Sequence, residues 1–250
     1  MRKVEKSRKG FSLVEVVIAI AIVTVLLTTF MAVFGPAQKS VSRALGVAEA
    51  NRLVATLENE MGILREGEKS QYDVAGSSSA FEKAFQWVRD SASPTSAVVV
   101  FQYQAQPKSS NTDGTLRAAV LSDVNNDQKQ PGVDYITQTV ARRLDKADSS
   151  TLKAELSRGI VTGKVYAVRM TQLVRNQTSG ALELSSNTAE IVNDDGSTAA
   201  DSEAYEEGVI TLQVEFFALN NNLHKYVTGK SWDFERLGKP VATQNIAVRR

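Results

Sequence analysis

The chain opens on a polar, basic decapeptide, and then polarity all but disappears. From Phe11 to Phe34 it reads FSLVEVVIAIAIVTVLLTTFMAVF, 24 residues whose single charge is Glu15. A helix of that length reaches about 36 Å, enough to cross a hydrocarbon core of roughly 30 Å. Gly35–Pro36 follows, and the proline is expected to kink or interrupt the helix there. Beyond it Val41, Leu45 and Ala48, then Ala50, Val54, Leu57, Met61 and Leu64, recur every three or four residues. That spacing predicts an amphipathic helix whose apolar stripe docks on a sheet. Gly67, Gly76 and Ser77–Ser79 mark a loop. The stretch FEKAFQWV then puts Phe81, Phe85 and Val88 on one face of a short helix ending before Ser93–Pro94, and burial statistics assign these aromatics to the core.

Past residue 95 the period changes from helical to alternating. AVVVFQYQ (97–104), LRAAVLS (116–122), KVYAVRMTQLV (164–174), ALELS (181–185), GVITLQVEFFAL (208–219) and VATQNIAV (241–248) read as strands. YITQTVARRL (135–144) fits either a strand or a helix. One long N-terminal helix followed by a mainly antiparallel sheet is an α+β layout.

Composition narrows the chemistry. The 250 residues contain no cysteine and one histidine, His224. Disulfides, thiolate metal sites, thiol catalysis and zinc sites built on several imidazoles are therefore excluded. A net charge of +1 gives no support to general nucleic-acid binding. The basic charge is concentrated in residues 1–10, where Arg2, Lys3, Lys6, Arg8 and Lys9 stand against Glu5. A basic flank before an apolar span stays in the cytoplasm and sends the rest of the chain across the membrane. A secretory signal peptide has a shorter apolar region ending in an A-x-A-like site, and neither feature is present.

The junction carries a more specific pattern. Lys9-Gly10-Phe11-Ser12-Leu13-Val14-Glu15 resembles the prepilin leader of type IV pilins and type II secretion pseudopilins. That family has a short basic leader ending in Gly, then Phe, with Glu at the fifth mature position ahead of an apolar helix. The resemblance implies a division into a leader (1–10), a transmembrane and assembly helix (11–34), an amphipathic continuation (35–66) and a globular sheet-rich domain (67–250). It implies cleavage after Gly10 by a membrane-embedded prepilin peptidase and methylation of the new amine on Phe11. A residue without a side chain at Gly10 lets a protease approach the backbone closely. It further implies that Glu15 pairs with the N-terminal amine of a neighbouring subunit and so sets register during assembly. The other reading of Glu15 is a carboxylate near the cytoplasmic end that snorkels to the headgroups. The C-terminal run from VEFFAL through Trp232 to VATQNIAV resembles the end of a J-type minor pseudopilin, with Leu237-Gly-Lys-Pro240 where Leu-Pro is usual.

Two acidic segments invite a metal reading. Asp123, Asn125, Asp127 and Asp134 put oxygens at positions 1, 3, 5 and 12 of a calcium loop. Gln128 stands where the tight turn needs glycine, and Asp134 is shorter than the usual Glu, so a solvated turn is the plainer reading. Residues 176–207, with Glu190, Asp194, Asp195, Asp201, Glu203, Glu206 and Glu207, read as a long loop kept soluble by charge, calcium being the alternative. Otherwise no cofactor is expected. No P-loop or dinucleotide fingerprint is present, and His224 has no motif joining it to a nucleophile.

These observations favour a structural subunit, not an enzyme: a minor pilin or pseudopilin of a type IV pilus or type II secretion filament. The resemblance implies other pilin or pseudopilin subunits, the prepilin peptidase, an inner-membrane assembly platform and membrane lipid as partners. It implies a single-pass protein of the bacterial inner membrane, N-terminus cytoplasmic and C-terminal domain periplasmic or otherwise extracytoplasmic. A binding module anchored by the same helix, such as an adhesin or DNA-uptake pilin, is the alternative. The slightly acidic chain beyond Glu15 counts against a nucleic-acid partner.

Overall fold

A computed structural model of the protein describes residues 12–73, 78–120, 130–229 and 231–250. The elements are α1 (Leu13–Met61), a 3₁₀ turn (Glu66–Gln71), α2 (Ala80–Asp90), β1 (Val98–Ser110), β2 (Leu116–Ala118), β3 (Ile136–Arg143), α3 (Ser149–Glu155), β4 (Val161–Arg175), β5 (Leu182–Leu184), β6 (Val209–Ala218), α4 (His224–Val227) and β7 (Ala242–Arg249). The fold is α+β and pilin-like: an N-terminal apolar helix, then a mainly antiparallel seven-stranded sheet. The chain forms two compact units, Met1–Glu49 and Ala50–Arg250.

The backbone of α1 is helical without a break through Gly35 and Pro36, so the expected interruption does not occur. A proline removes one N–H and crowds one carbonyl, but the hydrogen bonds of the turns on either side suffice to carry a helix of 49 residues past it. The segment 135–144, open between two readings, is the strand β3. Its Thr and Val residues favour the pleated backbone, and eight consecutive residues find partners on β1.

The second unit is a sheet in the order β2-β1-β4-β6-β7, with β3 also paired to β1 and β5 to β4. Alternation along the strands builds two apolar faces. On one, Val98, Val100, Val168, Met170, Leu212, Val214 and Ile246 meet Leu57 and Met61 of α1 and Phe85, Trp87 and Val88 of α2. On the other, Val99, Phe101, Val165, Ala167 and Phe217 lie under Leu152 of α3, Val227 of α4, and Trp232 and Phe234. Of the expected helical stripe, Leu57 and Met61 are buried and Val54 and Leu64 pack beside them, whereas Ala48 is exposed. Leu53, one position off that stripe, is buried as well. The side chains of Val41 and Leu45 lie outside the described residues.

Helix α2 departs further from a simple amphipathic pattern. Ser79 caps it by accepting from the Glu82 N–H at 3.0 Å. Phe81, Phe85 and Val88 are in the core as expected, but so are Glu82 and Lys83. The Lys83 side chain is 0% exposed. Its ammonium donates to Glu60 at 3.1 Å, to Glu68 at 2.7 Å and to the Ile63 carbonyl at 3.1 Å. It also lies 4.8 Å from the centre of the Trp87 ring. Arg65 holds Glu60 from the other side with two hydrogen bonds of 2.8 and 2.7 Å. The end of α1, the 3₁₀ turn and α2 are thereby joined by one charge cluster.

Removing the ammonium would leave the buried Glu60 and the partly buried Glu68 without the cation they share. We expect Lys83→Ala to cost about 3 kcal/mol, toward the lower end for a broken buried pair because Arg65 still neutralises Glu60. Urea unfolding of the full chain in detergent, followed by tryptophan fluorescence, measures it; a change below about 1 kcal/mol would reduce the cluster to an ordinary surface pair.

The same cluster predicts a pH dependence. Burial pushes the Glu60 carboxyl up, but Arg65 and Lys83 together outweigh burial and hold it below its ordinary 4.5. The folded state then binds fewer protons than the unfolded chain, so this stabilisation is present above pH 4.5 and is lost as the pH falls through and below it. Glu60→Gln should flatten the acid limb of a stability-against-pH curve; an unchanged limb would assign acid sensitivity elsewhere.

Candidate functional site

The first 20 residues of α1, Leu13–Ala32, have a mean hydropathy of 2.6, and none of them is buried within the protein. At 1.5 Å per residue that stretch reaches about 30 Å, the thickness of a hydrocarbon core. Leu13 is 81% exposed and Met31 67%, values that water would penalise heavily. Polar atoms inside the stretch are satisfied locally. Thr24 donates to the Ile20 carbonyl at 2.8 Å, Thr28 to Thr24 at 2.6 Å and Thr29 to Val25 at 2.8 Å. Hydroxyls that fold back on the preceding turn carry little penalty in an apolar medium. Phe30 and Phe34 stack at 5.0 Å.

Glu15 is the exception. It sits in the first turn of α1, exposed, where the unpaired backbone N–H groups favour a negative charge. Unlike the three threonines, a carboxylate has no proton to return to a carbonyl, so beyond those N–H groups a counter-charge must come from outside the helix. Gly10 and Phe11, the expected cleavage and methylation positions, lie outside the described residues.

Of the calcium-loop positions, Asp123, Asn125 and Asp127 also lie outside the described residues. Asp134 is described, and its carboxylate accepts from the Gln130 N–H at 2.8 Å, closing a turn. In the second acidic segment three of the carboxylates are likewise engaged by backbone. Asp195 accepts from the Ser197 N–H at 2.8 Å, Asp201 from Ala204 at 2.8 Å and Glu207 from Asp194 at 2.6 Å. The bonds from Ser197 also hold the Asp195 carboxyl below its usual range. Among the described residues no group of three or more His, Asp or Glu side chains is arranged to hold a metal ion.

One feature invisible in the sequence is a cleft of about 750 Å³ beside β3 and α3, with Asp113, Arg117, Arg142 and Lys146 in its lining. It is built around Arg142. The Asp113-Gly114 turn between β1 and β2, with Gly114 at φ 79°, delivers the Asp113 carboxylate to Arg142 Nη1. Arg142 Nη2 donates to Glu155 at 2.6 Å and to Thr115 at 2.9 Å. Burial raises the Glu155 carboxyl above its usual 4.5 in spite of Arg142, while for Asp113 Arg142 and Thr115 together outweigh burial and lower it. These groups are saturated by one another, which is the arrangement of a structural brace rather than of an acid–base pair. His224, half-buried on α4, has its pKa lowered by burial and then by Lys153, and pairs with no nucleophile among the described residues.

Comparison with known proteins bears on the N-terminus alone. Residues 6–31 match the family model described as Prokaryotic N-terminal methylation motif. No curated protein and no solved structure matches the chain. The matched segment spans the second half of the basic flank, the Gly10–Phe11 junction, Glu15 and most of the exposed apolar stretch. The chain therefore carries a prepilin-type N-terminal methylation motif on a membrane-length helix, ahead of a pilin-like α+β domain.

Proposed function

We propose that this protein is a structural, non-catalytic subunit, a minor pilin or pseudopilin of a type IV pilus or type II secretion filament. The observation that carries the reading is the methylation motif overlapping an apolar helical stretch, Leu13–Ala32, with no buried residue. A prepilin peptidase would cut after Gly10 and methylate Phe11, leaving the helix in the inner membrane and residues beyond it on the extracytoplasmic side. An assembly platform would then draw the helix into a bundle of like helices. The C-terminal order of aromatic strand, Trp232-containing turn and final strand supports a J-type minor subunit within that class. Calcium, if bound, would involve Asp134 together with Asp123, Asn125 and Asp127.

Intact-mass analysis of membrane-derived protein should show loss of residues 1–10 and one added methyl group on Phe11. Replacement of Gly10 by a bulky residue should leave the precursor uncut. A mature N-terminus near residue 35, or an uncleaved native chain, would overturn the assignment.

Glu15 distinguishes assembly from anchoring. In an anchor, Glu15→Val removes a charge from an apolar region and is neutral or mildly favourable. In an assembling subunit it leaves the Phe11 amine of the neighbouring chain in a low-dielectric bundle without its counter-charge, at a cost of about 3–5 kcal/mol. We expect Glu15→Val to keep insertion and cleavage but lose crosslinked capture of partner subunits, with Glu15→Asp intermediate. Undiminished capture by the Val variant would favour the anchored binding module.

A further inference from the structure

Strand β7 pairs with β6 through eight consecutive residues, from Ala242 against Phe216 to Arg249 against Val209. Which backbone groups that pairing uses follows from its end. The Arg250 N–H donates to the Gly208 carbonyl at 2.9 Å, which makes 250–208 a hydrogen-bonded pair. In an antiparallel ladder such pairs alternate, so Val248, Ile246 and Gln244 also face β6. Thr243, Asn245, Ala247 and Arg249 therefore turn their N–H and C=O groups to the opposite side. No described strand pairs there.

This edge lacks the usual protections within its span. From Ala242 to Val248 it contains no proline, no charge and no register shift. It is also uncovered: Thr243, Gln244, Asn245, Ala247 and Arg249 are all exposed. The other flank of the sheet differs, since Val140, Ala141, Arg142 and Arg143 of β3 are buried. The β7 edge is held firmly from behind, with Ile246 and Val248 in the core. Arg250 is tied to the Tyr205 carbonyl at 2.8 Å and stacked on Phe81 at 4.9 Å. A rigid, open row of donors and acceptors is a template for an incoming strand.

Charge identifies the occupant. The edge is bracketed by two exposed cations, Lys239 before it and Arg249 at its end, and no acidic residue occurs from Leu237 to Arg250. We propose that β7 accepts an extended segment of another protein, antiparallel or parallel to it, with acidic residues at the two ends of a neutral, β-forming stretch. The site stands apart from the filament reading, since it uses only the second compact unit.

The test is amide hydrogen exchange of the full chain in detergent, with two synthetic peptides as probes. Both have an alternating Thr-Val centre; one is flanked by Glu and the other by Lys. At ten times its dissociation constant the Glu-flanked peptide should slow exchange at Thr243, Asn245, Ala247 and Arg249 about tenfold. The Lys-flanked peptide at the same concentration should not. Ala247→Pro removes an outward N–H while sparing the β6 ladder, and should abolish the effect. Arg249→Glu alters one exposed side chain and should weaken the Glu-flanked peptide and strengthen its Lys twin, so the charge argument is tested even if the proline variant misfolds. Absence of slowing, equal slowing by both peptides, or slowing with rising protein concentration alone would overturn the proposal, the last by making a second copy of this chain the occupant.

Discussion

The ammonium of Lys83 has no contact with water, and much of the second compact unit is arranged to accept that fact. Two carboxylates reach it from segments on either side of the α1 terminus, Glu60 within the helix and Glu68 within the 3₁₀ turn. Arg65, between them in sequence, supplies a second positive charge, paired with Glu60 at 2.7 Å. Its backbone N–H also donates to the Glu68 carboxylate at 3.1 Å. A purely apolar contact between α1 and α2 could slide by a turn at modest cost. A buried ammonium with three acceptors in fixed places resists such a slip, because any other register would leave charges unpaired. Apolar packing supplies the driving force in this region, and the cluster supplies the register.

Arg142 plays the same part on the sheet. Asp113 comes from the β1–β2 turn, Glu155 from α3, and the guanidinium fork can serve both because its donors lie in one plane. Burial there is deep enough to raise the Glu155 carboxyl even beside a permanent cation, so the brace trades some stability for a defined geometry. Both networks consume the charges that a sequence displays as possible chemistry.

That consumption explains what could be read from the amino-acid order and what could not. The long strands and α2 followed from periodicity because each buries a face by local spacing, whereas the short helices α3 and α4 carry too few turns to show a period. The ambiguous stretch at 135–144 was resolved by pairing to β1, a contact between residues some forty apart that no local window contains. Nothing in the local sequence marks Lys83 for burial, since its partners Glu60 and Glu68 lie in two other elements. The Arg142 brace was hidden for the same reason, since its ligands are spread from Asp113 to Glu155. The N-terminal site is the opposite case. Its elements are contiguous, and so the methylation motif over residues 6–31 was legible without any fold.

Glu15 nevertheless acquires its meaning from the helix around it. The apolar stretch exposes side chains that water rejects, so it must be covered either by lipid or by other helices. The threonines are content in both surroundings, having spent their protons on their own backbone. A carboxylate is content in neither unless a cation is brought to it. Lipid offers only the headgroup region, at the margin of the span. A neighbouring chain cleaved at Gly10 would offer a primary or methylated amine four residues from its own Glu15, at the same depth when the two helices are offset by about one turn. An offset of that size is a helical stagger, and repeating it from chain to chain builds a filament. In the proposed array, the carboxylate that is hardest to place in a single chain would thus be the group that sets the pitch.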